Sequence, residues 1–197
     1  MSKETDWCRG PMAYELNQIG IWLPFPNVSY MLGASAYGGR PDGEYRSLDG
    51  RVIDVEFKAA AGSVFLGDPT DEANTEGFHL SQRRWHEKVS TRSKVPYVIV
   101  LYAYAGDKEK RRNLKEGAFY VITPEQWYAV EEINRNVNPD KIKRTVAIAR
   151  GGDRLLAYRH ISIEELWSQS RFPTAAEAAR EVHQRCTRGY RSEEHTF

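Results

Sequence analysis

Between Val52 and Lys58 the residues alternate between apolar and polar. Successive side chains of an extended strand point to opposite faces. Ile53, Val55 and Phe57 therefore form one face, and Val52, Asp54, Glu56 and Lys58 share the other. Gly43 to Arg46 supplies a partner strand, because Asp49-Gly50 is a hairpin turn signal. The run Val95 to Ala105 is continuously apolar after Pro96, which predicts a strand covered on both faces. Ala118 to Ile122 predicts another.

Helical patterns fill much of the rest. Arg9 to Gly20 reads as a helix with Pro11 near its start, Gly20 as its stop and Met12, Leu16 and Ile19 inward. Ser81 to Val89 reads as a second, with an apolar stripe of Leu80, Trp85 and Val89. Thr123-Pro124-Glu125 opens a third, with Thr as cap and Pro in first position. Ser162 to Ser170 is a short helix capped by Ser162, and Thr174 to Arg188 a longer one whose capping box is completed by Glu177. Between them Arg171 to Pro173 is a spacer. Thr145 to Ala149 and Leu155 to Tyr158 flank Gly151-Gly152-Asp153 as a hairpin. Residues 1–8 and the tail after Gly189 read as frayed, and residues 21–40 as an irregular segment, either a DNA-contacting arm, a dimer surface or a twisted edge hairpin.

Composition narrows the class. Hydrophobic residues make up 41% and charged residues 28% of the 197, an ordinary soluble balance. The length suits one domain over residues 1–197. The net charge of +1 does not announce a nucleic-acid binder, but it hides a local excess. Lys141, Lys143, Arg144, Arg150, Arg154 and Arg159 crowd into the region 137–160. Cys8 and Cys186 lie near opposite ends with no metal-like spacing, which fits a reduced interior. The longest apolar run, Tyr97 to Ala105, is far short of the roughly 20 residues that span a bilayer. With no signal-peptide pattern at the start, a cytoplasmic protein without a membrane partner is expected, from a bacterial cell or a phage-infected host. The histidines form no HExxH, no phosphate-binding Gly-rich loop is present, and Ser35 and Ser63 lack a nucleophile-elbow context.

The polar face of residues 52–58 carries the chemistry. Charged side chains are rarely buried in a central strand unless they pair or bind metal. Asp42 arrives from the turn just upstream, with thirteen residues between it and Glu56. Hairpin pairing can bring these two carboxylates within a few ångströms, and Lys58, two residues after Glu56, points to the same place.

Pro41-Asp42 followed by Glu56-Phe57-Lys58 resembles the motif of the PD-(D/E)xK, or restriction-endonuclease-like, nucleases. Phe78-His79-Leu80-Ser81-Gln82 is similar to a second signature, of the RecU-type Holliday-junction resolvases within that superfamily. The resemblance implies a mixed α/β fold with an αβββαβ core over about residues 9–135, a central mixed sheet flanked by helices, and a C-terminal hairpin and helices (137–190) as an appendage. It implies a Mg²⁺-dependent DNA endonuclease, with Mn²⁺ as substitute, probing branched DNA as a homodimer. Asp42 and Glu56 would hold the metal with the Phe57 carbonyl and with Glu15 from the first helix. Lys58 would polarise the attacking water and Gln82 steady it, while Asp54 shares their face and is a possible replacement ligand. Arg40, Arg83, Arg84, Lys143, Arg144 and Arg150 would contact DNA phosphates, and Tyr30 and Tyr37 would stack on unpaired bases. A sequence-specific restriction enzyme, a recombination or packaging exonuclease, and a non-catalytic DNA-binding protein on the same fold are the alternatives.

Overall fold

The strand read from the alternation is the second of four central strands in a six-stranded sheet. The computed structural model describes residues 5–25, 39–60, 63–64, 80–104, 117–129, 161–162 and 167–188. In chain order the elements are α1 (Gly10–Ile19), β1 (Ile21–Pro24), β2 (Gly43–Arg46), β3 (Val52–Ala60), β4 (Ser63–Val64), α2 (Leu80–Trp85), β5 (Tyr97–Ala103), β6 (Ala118–Ile122), α3 (124–129), β7 (Ile161–Ser162), β8 (Arg171–Phe172) and α4 (Ala175–Arg188). The sheet runs β1-β2-β3-β5-β6-β8, and β4 pairs separately with β7. β1, β2 and β3 form an antiparallel meander, β5 joins β3 in parallel, and β6 and β8 continue antiparallel. The protein is therefore a mixed α/β fold, a mixed sheet with helices on its faces. Among the described residues, no helix is long and apolar enough to cross a membrane.

The alternation in β3 divides two cores. Ile53, Val55 and Phe57 are fully buried with Met12 and Leu16 of α1, Tyr45 of β2, and Ala178, Ala179, Val182 and Cys186 of α4. On the other face Tyr97, Ile99 and Leu101 of β5 pack with Tyr120 and Ile122 of β6, and with Trp127 and Trp167. β5 is thus covered on both sides, as its unbroken apolar run predicts. Capping at α3 and α4 also follows the sequence. Thr123 Oγ1 accepts from the Gln126 N–H at 3.2 Å, and Thr174 Oγ1 accepts from the Glu177 N–H at 3.2 Å.

Other expectations are corrected or narrowed. Residues 5–8, read as frayed, form a wide helical turn with Arg9, in which Cys8 is fully buried and Trp7 packs edge-on against Tyr104 at 4.8 Å; residues 1–4 lie outside the described residues. Of the readings of residues 21–40, Ile21–Pro24 agrees with the edge hairpin, an edge strand on β2 with Trp22 packed on Phe57 at 5.2 Å, and 26–38 lie outside the described residues. The helix beginning at Leu80 passes through a wider turn at His86–Ser90 and reaches Ser93 before Lys94, at φ 55°, ends it. Ser162 lies in a strand rather than capping a helix, Trp167 is helical and Ser168–Ser170 form a short turn, while 163–166 of the expected helix lie outside the described residues. The spacer Arg171–Phe172 is the sixth strand. α4 belongs to the main core instead of being appended to it. The hairpin of 145–158 and the tail after Gly189 lie outside the described residues.

Gly43 locks the meander. A Cβ there would lie 2.5 Å from the Trp22 ring and 2.6 Å from the Leu23 carbonyl oxygen, a backbone atom that has little room to move. Gly43→Ala is therefore expected to push β1 off β2 and to cost about 1–3 kcal/mol. The check is urea unfolding, in which the midpoint falls while the slope stays the same.

Candidate active site

Pairing of β2 with β3 brings the two motif carboxylates together. The register ends at Gly43 opposite Val55, and continued one step beyond β2 it would set Asp42 against Glu56. Directly opposed residues of an antiparallel pair share a face and are close neighbours. Asp42 is held from three sides. The Phe25 N–H donates to its carbonyl at 2.9 Å, which extends the β1–β2 ladder. The Phe57 N–H donates to its Oδ2 at 2.8 Å. The Arg9 guanidinium pairs with Oδ1 and reaches the Asp42 carbonyl oxygen at 3.3 Å.

Glu56 is buried, with 4% of its surface exposed, on the face opposite Phe57. A carboxylate taken out of water needs charge and hydrogen-bond partners to offset several kcal/mol of lost hydration. Lys58 Nζ lies 2.8 Å from Glu56 Oε1, and Gln82 Nε2 from α2 donates to the same oxygen. The strand period delivers Lys58 to this position, and the parallel crossover from β3 to β5 lays α2 over it. Asp54, one step back on the same face, accepts from Ser90 Oγ at 2.9 Å. Burial pushes the Asp54 carboxyl above the usual carboxylate range, against the pull of that hydrogen bond.

The structure places the remaining expected residues less uniformly. Glu15 is half-buried on α1, which covers the opposite face of the sheet, and no hydrogen bond or ion pair joins it to Asp42 or Glu56. Phe57 contributes its amide to Asp42 while its ring fills the core. The Arg40 guanidinium is stacked over the rings of Phe25 and Trp85, 4.5 and 5.2 Å from their centroids. Arg83 is buried over the Tyr128 ring at 4.8 Å, so it is not the surface phosphate contact its sequence position suggests. Arg84 is exposed. Lys143, Arg144 and Arg150, like Tyr30 and Tyr37, lie outside the described residues.

Two residues of the site are not visible in the motif. Arg9 is one. The other is Tyr97, paired with Asp54 across the parallel β3–β5 ladder and therefore on the same face. Its phenol is held well above the usual tyrosine range, first by burial and then by the charges of Glu56, Asp54 and Asp42. It remains a neutral O–H beside three carboxylates.

A hard divalent cation takes carboxylate and carbonyl oxygens, and neighbouring Asp42 and Glu56 offer that chemistry. Each carboxylate has about four lone-pair positions, so the hydrogen bonds present leave coordination capacity. Among the described residues, no group of three or more His, Cys, Asp or Glu is gathered around one point. The donor set is thus two carboxylates with backbone or water oxygens to complete it.

Where α2 meets α3, His86 Nε2 lies 3.4 Å from Glu125 Oε1 and its ring packs on Tyr97 at 5.5 Å. Burial holds His86 below the usual histidine range, with Glu125 and Glu87 pulling the other way. The folded chain therefore disfavours the protonated ring. Its share of stability is intact above the ordinary value of 6.5 and is lost as pH falls from there through the lowered folded value. His86→Gln is expected to flatten the decline in urea midpoint between pH about 7 and about 5. An equally steep decline in the variant would assign it to other groups.

Compared with known protein families, with curated proteins and with solved structures, the chain matches none of them.

Proposed function

We propose that this chain is a divalent-metal-dependent deoxyribonuclease that hydrolyses phosphodiester bonds, built on a restriction-endonuclease-like core and selective for branched DNA. The observation that carries the reading is the approach of Asp42 to β3, where the Phe57 N–H beside Glu56 donates to its Oδ2 at 2.8 Å, with Lys58 Nζ 2.8 Å from Glu56 Oε1. With the short β4 set aside, the order of helix, three antiparallel strands, helix and parallel strand is similar to the αβββαβ order of that core, which supports the same reading.

In this reading Asp42 and Glu56, with the Phe57 carbonyl, would hold Mg²⁺ or Mn²⁺. When bound, the ion supplies positive charge where the scissile phosphate gathers negative charge. The chain's own groups do the rest. Lys58 shares the Glu56 oxygen in the resting site and is placed to orient a water and to screen the pentavalent phosphate. Gln82 fixes the rotamer of Glu56 from α2, and Tyr97 keeps an O–H donor facing the carboxylates. Arg84, exposed on α2, and the basic region 137–160 would meet phosphates through salt-sensitive contacts. Symmetric cutting of two strands calls for a two-fold pair of chains.

A non-catalytic DNA-binding protein on the same sheet is the second reading. One observation favours it: each motif carboxylate already has a cationic partner within the chain.

The test is incubation of the protein with a four-way junction, linear duplex, closed circle and single strand, with Mg²⁺ and with EDTA. Symmetric Mg²⁺-dependent incision of the junction is the expected result. Cutting of linear duplex at one short sequence selects a restriction enzyme, and loss of linear ends with sparing of circles selects an exonuclease. Binding without any incision selects the second reading.

A further inference from the structure

We propose that Arg9 is an internal counter-cation, seated on Asp42 while no metal is present and displaced when a divalent ion enters, so that it sets how tightly the site takes metal. This rests on the nuclease reading in one respect, that Asp42 and Glu56 are the groups that receive the ion.

Arg9 comes from outside the hairpin, at the end of the helical turn that precedes α1. Its Nη2 serves both Oδ1 and the carbonyl oxygen of Asp42, 33 positions away in sequence. With Lys58 on Glu56 this makes two ion pairs, each with formal charges that sum to zero. A divalent ion entering at these balanced pairs adds two positive charges beside two already there. Its affinity rises if one resident cation leaves.

The two cations differ in how readily they can do so. The Lys58 side chain is 15% exposed and stems from the middle of a central strand. The Arg9 side chain is 33% exposed and stems from the helical turn that precedes α1. Among the described residues, Arg9 Nε is buried with no acceptor, so Asp42 is what the guanidinium is tied to. Arg9 is accordingly the cation that yields. A merely structural ion pair makes the opposite prediction, because without Arg9 the Asp42 carboxylate would loosen and bind metal less well.

The experiment is titration with Mn²⁺ alone, in the absence of DNA, following free Mn²⁺ by electron paramagnetic resonance. The proteins are wild type, Arg9→Gln, Arg9→Lys and, as a control for remote charge, Arg51→Gln, which breaks the exposed pair with Asp49. Arg9→Gln is expected to bind Mn²⁺ about tenfold tighter or more, since a unit charge in contact with the site is gone. Arg9→Lys and Arg51→Gln should keep the wild-type affinity. The gain in melting temperature from EDTA to a fixed Mn²⁺ concentration should widen in Arg9→Gln by mass action. Arg9→Gln binding as wild type or more weakly, while wild type binds, overturns this proposal and leaves the nuclease reading standing. Mn²⁺ bound by neither protein overturns both.

Discussion

Glu56→Gln should lower Mg²⁺-dependent DNA cleavage by about 10³-fold, and Lys58→Ala by about 10²–10³-fold, with the fold kept in both. The Gln replacement has the same shape, and its amide oxygen can still accept from Gln82 and Lys58. What it removes is the negative charge that would hold the ion. Lys58→Ala removes the group that, in the proposed reading, would meet the water and the developing phosphate charge. The two act on one transition state, so their effects should not add. The double variant should cut no more slowly than the worse single variant, as happens when either loss alone disables a shared step. Single-turnover rates at saturating Mg²⁺, with circular dichroism to monitor folding, decide this. A rate within a few-fold of wild type for either variant would remove the catalytic assignment.

Much of this site is legible from residues 41–58. A period of two assigns Ile53, Val55 and Phe57 to one core and Asp54, Glu56 and Lys58 to the site, and the structure keeps that division. The Asp49-Gly50 turn, with Gly50 at φ 83°, makes the hairpin that brings Asp42 back to β3, where the Phe57 N–H donates to it. Gln82 is legible for a weaker reason, a polar residue at the opening of the next helix.

The rest depends on contacts too distant for local patterns to carry. Nothing near Arg9 marks it as the partner of Asp42, and it reads as the first residue of a helix. Tyr97 is hidden inside an apolar run, where an aromatic at a strand start is an ordinary core residue. Its meaning comes from the Asp54–Tyr97 register, a consequence of the crossover. Ile21–Pro24 and Arg171–Phe172 are too short to show a period, so β1 is only one of several readings of its segment and β8 reads as a spacer, and pairing with β2 and β6 makes them strands. Arg83 misleads for a related reason. A helix wheel gives it a polar face, but the Tyr128 ring from α3 covers it.

The two faces of β3 should also separate in experiment. Phe57 is fully buried, meets Trp22 edge-on at 5.2 Å and packs in the same core as α1 and α4. Phe57→Ala removes those contacts and leaves a cavity beneath the strand, an expected loss of about 3–5 kcal/mol. That is a large part of the roughly 5–15 kcal/mol that holds a domain of this size together. The charged residues on the opposite face keep their backbone, and the Phe57 N–H that Asp42 accepts from is a main-chain group that survives the substitution. Below its lowered unfolding transition the variant should therefore retain cleavage within about tenfold of wild type, whereas Glu56→Gln should lose cleavage while shifting stability far less. Urea midpoints and single-turnover rates on the same preparations test the crossing. If Phe57→Ala is inactive where it is still folded, the ring is holding Glu56 and Lys58 in place through the strand, and the core face must be counted as part of the site.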